Sequence, residues 1–103
     1  MIKKYSNIQL YVRVFDELFK AGHNIGWHLV LHGSLKRDLD IFAIPWEDDA
    51  VTYNVLIKEL FKVCNRTAPN EIKLVEKKYG RKAYTIPLDI DKYIDLSLFD
   101  NRI

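Results

Sequence analysis

The chain has 103 residues, of which 49% are hydrophobic and 29% are charged, and its formal net charge is +2. The apolar content excludes a disordered chain, and the length suits a single domain with one core. A net charge this close to zero does not favour a general nucleic-acid-binding protein. The single cysteine excludes an internal disulfide, and no apolar run approaches the roughly 18 residues of a membrane helix. We therefore expect one cytoplasmic domain over residues 1–103, with no membrane-spanning segment.

The first predicted element is a helix from Asn7 to Ala21, because apolar residues recur there at helical spacing. Ser6 or Asn7 can cap its first free N–H groups, and Gly22 can end it in a left-handed conformation. Two short apolar strands follow, joined by a turn so short that antiparallel pairing is expected. These strands are Trp27–His32 and Asp38–Ile44, with Pro45 stopping the second.

A second helix is expected to start near Glu47, Asp48 and Asp49, because carboxylates suit the positive end of a helix dipole. Its apolar stripe runs to Cys64, which we expect to be buried. The sequence then predicts a hairpin with arms at 71–78 and 81–88 and a last strand over 92–99. The expected order is α-β-β-α-β-β-β. This order indicates an α+β fold, a two-layer sandwich in which a mixed sheet carries both helices on one face.

Three aspartates are expected to share the open face of this sheet, since side chains along a strand alternate between its faces. Asp38 and Asp40 lie opposite the apolar set of the second strand, and Asp95 lies opposite the apolar set of the last one. Converging carboxylates repel one another, and a divalent cation such as Mg²⁺ or Mn²⁺ relieves that repulsion. The alternative is an exposed strand face that is acidic only because it is solvated.

Residues beside these aspartates extend the candidate site. Gly33 and Ser34 form a turn that can approach a phosphate closely and offer it a hydroxyl and an N–H group. Lys36 and Arg37 can meet a phosphate, or they can simply form an exposed basic turn. His32 can add a metal ligand or a proton acceptor, and the simpler alternative is a histidine that only hydrogen-bonds on a half-exposed strand.

The predicted hairpin is basic, and its cations allow two interpretations. They can grip the backbone of a nucleic acid, or they can be solvated and protect an edge strand from aggregation. The residues concerned are Lys73, Lys77, Lys78, Arg81 and Lys82.

The stretch Gly33-Ser34 followed by Asp38-Leu39-Asp40-Ile41 resembles the signature of the DNA polymerase beta-like nucleotidyltransferase superfamily. That signature is a hydrophobic strand, a Gly-Ser turn, two aspartates that alternate with hydrophobic residues, and a third acidic residue on a later strand. The segment Tyr93-Ile94-Asp95-Leu96-Ser97 looks like the third element. The run from Gly33 to Pro45-Trp46 is also similar to small phage and bacterial proteins that look like this superfamily.

The resemblance implies a metal-dependent transferase. Asp38, Asp40 and Asp95 would be the catalytic residues that hold Mg²⁺ or Mn²⁺, with Asp95 also a candidate general base. Gly33 and Ser34 would contact the triphosphate. A nucleoside monophosphate would pass from the nucleoside triphosphate to an acceptor that the sequence does not identify.

One departure from the superfamily concerns the turn, because only three residues separate Ser34 from Asp38, where members usually have a longer loop. We also expect no additional domain of the kind that many members use to choose their acceptor. Both features favour an alternative, a catalytically inactive module of the same fold that binds a nucleotide or a protein partner. A third hypothesis is a small nucleic-acid-binding α+β domain that uses the basic hairpin.

Overall fold

The computed structural model describes residues 7–103 as an α+β fold with two helices and a five-stranded mixed sheet. The strand order across the sheet is β1-β2-β5-β4-β3, in which β2 and β5 run parallel and the other neighbours antiparallel. The mixed sheet and the antiparallel pairing of β1 with β2 confirm the predictions. The elements in chain order are α1 (Asn7–His23), β1 (Trp27–His32), β2 (Leu39–Pro45), α2 (Tyr53–Val63), β3 (Val75–Glu76), a 3-10 turn (Lys78–Gly80), β4 (Lys82–Asp89) and β5 (Lys92–Leu98).

One apolar core lies between the sheet and the two helices. Alternate residues of the central strands point into it, so both helices cover the same sheet face, as the strand patterns predicted. Burying each large aliphatic side chain contributes roughly 1.5–3 kcal/mol. None of the helices between residues 7 and 103 has the length and apolar character needed to span a bilayer. The fully buried side chains include Tyr11, Leu18, Leu56, Ile57 and Leu60 from the helices and Leu39, Ile41, Ile94 and Leu96 from the strands.

Helix α1 continues past Gly22, so the prediction that this glycine ends the helix was wrong. Gly22 is buried, and a Cβ at this position would lie 3.1 Å from the Leu29 side chain. The absence of a side chain therefore lets α1 approach β1. In the loop that follows the helix, Gly26 adopts a positive φ, whereas Gly22 does not. The predicted Ser6 cap lies outside the described residues, and Asn7 is the first helical residue.

Helix α2 begins at Tyr53, so the prediction of a start at Glu47, Asp48 and Asp49 was wrong. The chain just before α2 is held by other contacts: the N–H of Val51 donates to the carbonyl of Ile25 at 3.2 Å. The indole N–H of Trp27 donates to the Val51 carbonyl at 2.8 Å. These tertiary hydrogen bonds hold residue 51 outside a helix and outweigh the dipole interaction of the acidic residues, which stay exposed.

The first arm of the hairpin is much shorter than predicted, because only Val75 and Glu76 pair with β4. Ile72 is buried in the core with 3% of its surface exposed, so the preceding chain runs over the core and not along β4. Within the described residues, β4 has no strand neighbour on this side beyond Ala83. Pro87 therefore lies on a part of β4 that has a strand neighbour on one side only, next to a register irregularity, which fits its expected position near an edge.

Cys64 lies just after α2 and is half-buried. Burial raises the pKa of its thiol to about 11. Because the thiolate is the reactive form, we expect iodoacetamide to alkylate Cys64 slowly at about pH 8 and much faster in denaturant or near pH 11. Intact-protein mass spectrometry over time measures the rate. Equal rates in native and denatured samples at the lower pH would contradict this prediction.

Candidate functional site

A row of polar residues crosses four adjacent strands on the open sheet face. Asp40 of β2 pairs with His32 of β1 on one side and with Asp95 of β5 on the other. Asp95 in turn pairs with Thr85 of β4. Paired residues on neighbouring strands project from the same face. Since the residues flanking Asp40 in sequence point into the core, the row projects away from the helices, and the structure brings Asp40 and Asp95 together.

Asp38 lies in the turn just before β2 and not in the strand where it was predicted. It is nevertheless close to the row. Burial is the main factor that raises the pKa of the Asp40 carboxyl, and the charges of Asp95 and Asp38 raise it further. The charges of His32 and Arg81 act in the opposite direction. Asp38 and Asp95 are therefore both close enough to act electrostatically on Asp40.

The turn between β1 and β2 packs directly on the Asp40 carboxylate. Gly33 has a φ of +80°, and a Cβ there would overlap a carboxylate oxygen of Asp40. The Ser34 hydroxyl accepts a hydrogen bond from the N–H of Lys36 at 3.3 Å. Leu35 also has a positive φ, at 60°. The short turn is thus tightly wound, and its serine hydroxyl is engaged within it.

Helix α1 fixes the basic half of this turn. The hydroxyl of the buried Tyr11 donates to the carbonyl of Arg37, and the side-chain amide of Asn7 donates to the carbonyl of Lys36 at 2.9 Å. Tyr11 is one of the residues at helical spacing that predicted α1, and the sequence did not indicate its hydrogen bond to Arg37. The available signal was a tyrosine in a core stripe, since a buried hydroxyl requires a hydrogen-bond partner.

A cleft of about 450 Å³ opens beside the turn. Lys36, Arg37 and Asp38 line one side of it, and Asp91 and Tyr93, next to the start of β5, line the other. Two cations and two carboxylates at one opening suit a phosphate group that is bound together with a metal ion. Lys36, Arg37 and Asp38 therefore share one cleft, which neither Asp40 nor Asp95 lines, and nucleotide binding by the two basic residues stays a prediction.

His32 has an unsatisfied ring nitrogen at this site. Its ring stacks on Phe42 with the centroids 3.7 Å apart. The Nε2 atom is buried and has no hydrogen-bond partner among residues 7–103. A buried ring nitrogen without a partner is unusual, and beside a cluster of carboxylates it is available to a ligand or a proton.

Arg81 reaches the open face from the start of β4, whereas the sequence indicated only that it belonged to the basic hairpin. Its Nη1 atom donates to the buried Ser97 hydroxyl at 2.6 Å. Ser97 lies two residues beyond Asp95 on the same face of β5. This placement explains why Arg81 lowers the pKa of Asp40. Only the strand pairing reveals that Arg81 is near Asp40, because Asp40, Arg81 and Ser97 are distant from one another in sequence.

No group of three or more His, Cys, Asp or Glu side chains within residues 7–103 is arranged to hold a metal ion. Comparison with known proteins does not identify the site either. No protein-family model matches the chain, and no match was found among curated proteins or solved structures. The function is therefore inferred from the residues themselves.

Replacing Gly33 by alanine tests the packing of the turn on Asp40. The positive φ costs an alanine about 1 kcal/mol, which corresponds to a fall of roughly 4–8 °C in Tm. The added Cβ also displaces the Asp40 carboxylate toward solvent, so we expect its raised pKa to return toward the ordinary value of 3.8. A carboxyl NMR titration measures this pKa.

The matched control is Gly80→Ala, because Gly80 also has a positive φ, +74°, but nothing lies within 4 Å of the new Cβ. It should lower Tm by a similar amount and leave the Asp40 titration unchanged. If the Gly33→Ala variant also keeps the Asp40 titration of the original protein, the described contact is wrong.

Proposed function

We propose that the chain is a minimal nucleotidyltransferase-like domain that uses a divalent metal to transfer a nucleoside monophosphate from a nucleoside triphosphate to a hydroxyl acceptor. The observation that carries the proposal is the pairing of Asp40 with Asp95 on adjacent parallel strands. Asp38 is close enough to raise the pKa of Asp40. The resemblance of the Gly-Ser turn and the following aspartates to the superfamily supports the same activity.

The donor set suits a hard divalent cation in its chemistry. Carboxylate oxygens are the ligands that Mg²⁺ and Mn²⁺ prefer, and a bound cation offsets the mutual repulsion of the aspartates. Asp40 and Asp95 would hold the ion, and Asp38 would complete the set. When bound, such an ion neutralises the charge of a triphosphate and favours ionisation of the attacking hydroxyl.

The residues of the chain supply positioning and proton transfer. Lys36 and Arg37, whose backbone is held by α1, bind the phosphates in the cleft and orient the triphosphate. The acceptor oxygen forms a bond to the α-phosphorus, and the bond from that phosphorus to pyrophosphate breaks. The acceptor proton passes to the carboxylate of Asp95, which acts as the general base.

Thermal melting with Mg²⁺, with each nucleoside triphosphate, and with both together tests the binding step. At a ligand concentration of about a hundred times Kd, binding stabilises the fold by about 2.7 kcal/mol. We therefore expect Tm to rise by roughly 10–20 °C with both ligands. The absence of any shift would overturn the proposal. Transfer of label from an α-labelled triphosphate, with release of pyrophosphate, measures turnover.

A second candidate is a module of this fold that binds a nucleotide or a protein partner without turnover. Two observations favour it over an active enzyme. No ready set of three metal donors exists within residues 7–103, and the Ser34 hydroxyl is engaged inside the short turn. A rise in Tm with triphosphate in the presence of EDTA, without transfer of label in Mg²⁺, would support this candidate.

A further inference from the structure

A second, larger cavity lies at the other end of the open face from Asp38. It has a volume of about 690 Å³ and is formed by the 3-10 turn before β4 and by the residues that follow β5. We call it the basic groove. Its principal side chains are Lys77, Lys78, Tyr79, Arg81, Lys82 and Phe99.

Four basic side chains line the basic groove, and one of them, Lys82, forms an ion pair with Glu76 at 3.5 Å. Within residues 7–103, Asp100 is the only acidic side chain that lines the groove, and it accepts hydrogen bonds from Nε and Nη2 of Arg102, both at 2.9 Å. Within residues 7–103, neither Lys77 nor Lys78 forms an ion pair. These two lysines are therefore available to a polyanion, whose binding releases counterions.

Two exposed aromatic rings accompany these cations. Tyr79 is fully exposed and has a φ of +63°, a conformation that is uncommon for residues other than glycine and clusters at functional sites. Phe99 is 45% exposed, and its ring is fixed edge-on against Phe42 with the centroids 5.2 Å apart. Cations interleaved with exposed aromatic rings are typical of surfaces that track a phosphate backbone and stack its bases.

We propose that the basic groove binds single-stranded nucleic acid. Lys77 and Lys78 contact the backbone phosphates, and the ring of Tyr79 stacks on an unpaired base. A single strand fits better than a duplex, because bases within a duplex stack on one another and do not offer their faces to a protruding ring. Ser97 holds one end of the Arg81 guanidinium and leaves its other N–H groups for phosphate or base contacts.

The basic groove is continuous with the carboxylate row. Arg81 lines the groove and donates a hydrogen bond to Ser97, which lies two residues beyond Asp95 on the same face of β5. Phe99 follows Asp95 by four residues, or roughly 13 Å of extended strand. A strand in the groove can therefore place its end at the aspartates. The placement of a strand end at the aspartates rests on the proposed function. It would make a hydroxyl group of the nucleic acid the acceptor.

Fluorescence anisotropy with labelled RNA and DNA single strands of about 12 nucleotides tests the binding. The buffer contains EDTA and no triphosphate. Tyr79→Asn removes the ring but tolerates a positive φ, and we expect about tenfold weaker binding, since stacking of one base contributes on this scale. Tyr79→Phe keeps the ring and should keep the affinity.

Neutralising both lysines tests the phosphate contacts. The double variant Lys77→Gln with Lys78→Gln should reduce the slope of log affinity against log salt by about 1.4, because each single-strand contact contributes about 0.7. The matched control is Lys20→Gln with Lys62→Gln, which removes the same charge from side chains 70% and 72% exposed on the helices. The control should leave the slope unchanged.

Three outcomes would overturn the proposal: affinity that Tyr79→Asn leaves unchanged, binding to inorganic polyphosphate as tight as to oligonucleotides, or a preference for phosphatidylserine vesicles. The assay contains neither metal nor triphosphate. A lack of oligonucleotide binding in this assay is therefore distinguishable from a failure of the proposed transferase function. The latter is tested separately, by the melting shift with Mg²⁺ and triphosphate.

Discussion

Asp40→Asn is expected to abolish the rise in Tm with Mg²⁺ and triphosphate, about 10–20 °C for the original protein, and to make the metal-free protein more stable. The first effect follows because the amide cannot replace a carboxylate as a ligand for a hard cation. The second follows because the substitution removes a half-buried negative charge from beside Asp38 and Asp95.

The pH dependence of the second effect has a defined sign. Burial and the two neighbouring aspartates raise the pKa of Asp40 in the folded protein above 3.8. The folded state therefore binds this proton more tightly than the unfolded state does. The stabilising contribution of protonated Asp40 is present below 3.8 and is lost as the pH rises through the folded-state pKa.

Melting curves in EDTA from about pH 4 to 7 measure this difference. The Tm advantage of the Asp40→Asn variant should be largest at neutral pH and should shrink toward the acidic end. Asp49→Asn is the control, because Asp49 is exposed and outside the row, and it should change neither the metal response nor the pH profile. A metal-dependent shift that survives Asp40→Asn would show that the ligand assignment is wrong.

Gly26→Ala is expected to be the most destabilising glycine substitution in the chain, by about 3 kcal/mol, from a positive φ and from overpacking. Gly26 has a φ of +94°, and a Cβ there would lie 2.8 Å from both Cα and Cβ of Ala50. The loop cannot easily relax, because the Gly26 carbonyl accepts the N–H of Trp46 at 2.8 Å and the Ile25 carbonyl accepts that of Val51 at 3.2 Å.

Urea unfolding monitored by tryptophan fluorescence measures this loss. Gly80→Ala is again the informative control, because it has a similar φ but open space around the new Cβ and should cost about 1 kcal/mol. Equal losses for the two variants would show that the contact between Gly26 and Ala50 does not constrain the loop.

The shared face of Asp40 and Asp95 could be predicted because alternation along a strand is a local property. The pairing of β1 with β2 could also be predicted from their short connection, but the position of β5 between β2 and β4 could not, since it depends on how the whole chain packs. The same limit applies to Arg81, whose contact with Ser97 follows from the register of β4 on β5. The same limit applies to the hydrogen bond from the Tyr11 hydroxyl to the Arg37 carbonyl, because the two residues are distant in sequence.

The errors in element boundaries have the same physical origin. Three carboxylates favour a helix start at 47–49, but Val51 donates a hydrogen bond to Ile25 and accepts one from Trp27, and these bonds hold it in another conformation. Gly22 has the propensity to end a helix, but the gain from packing α1 against Leu29 outweighs it. In the predicted hairpin, burial of Ile72 draws the chain away from β4.

The position of β5 has a consequence for how this protein is made. Of the strands within residues 7–103 this one is synthesised last, yet it lies in the middle of the sheet between β2 and β4. Until β5 inserts, β2 and β4 each expose a hydrogen-bonding edge. Asp40 also lacks its β5 partner, Asp95, which lies about half a chain length further along the sequence. The pairing of β2 with β5 is therefore long-range, and long-range pairings slow folding. A nascent chain would have to avoid edge-to-edge aggregation until β5 has been synthesised and has inserted between β2 and β4.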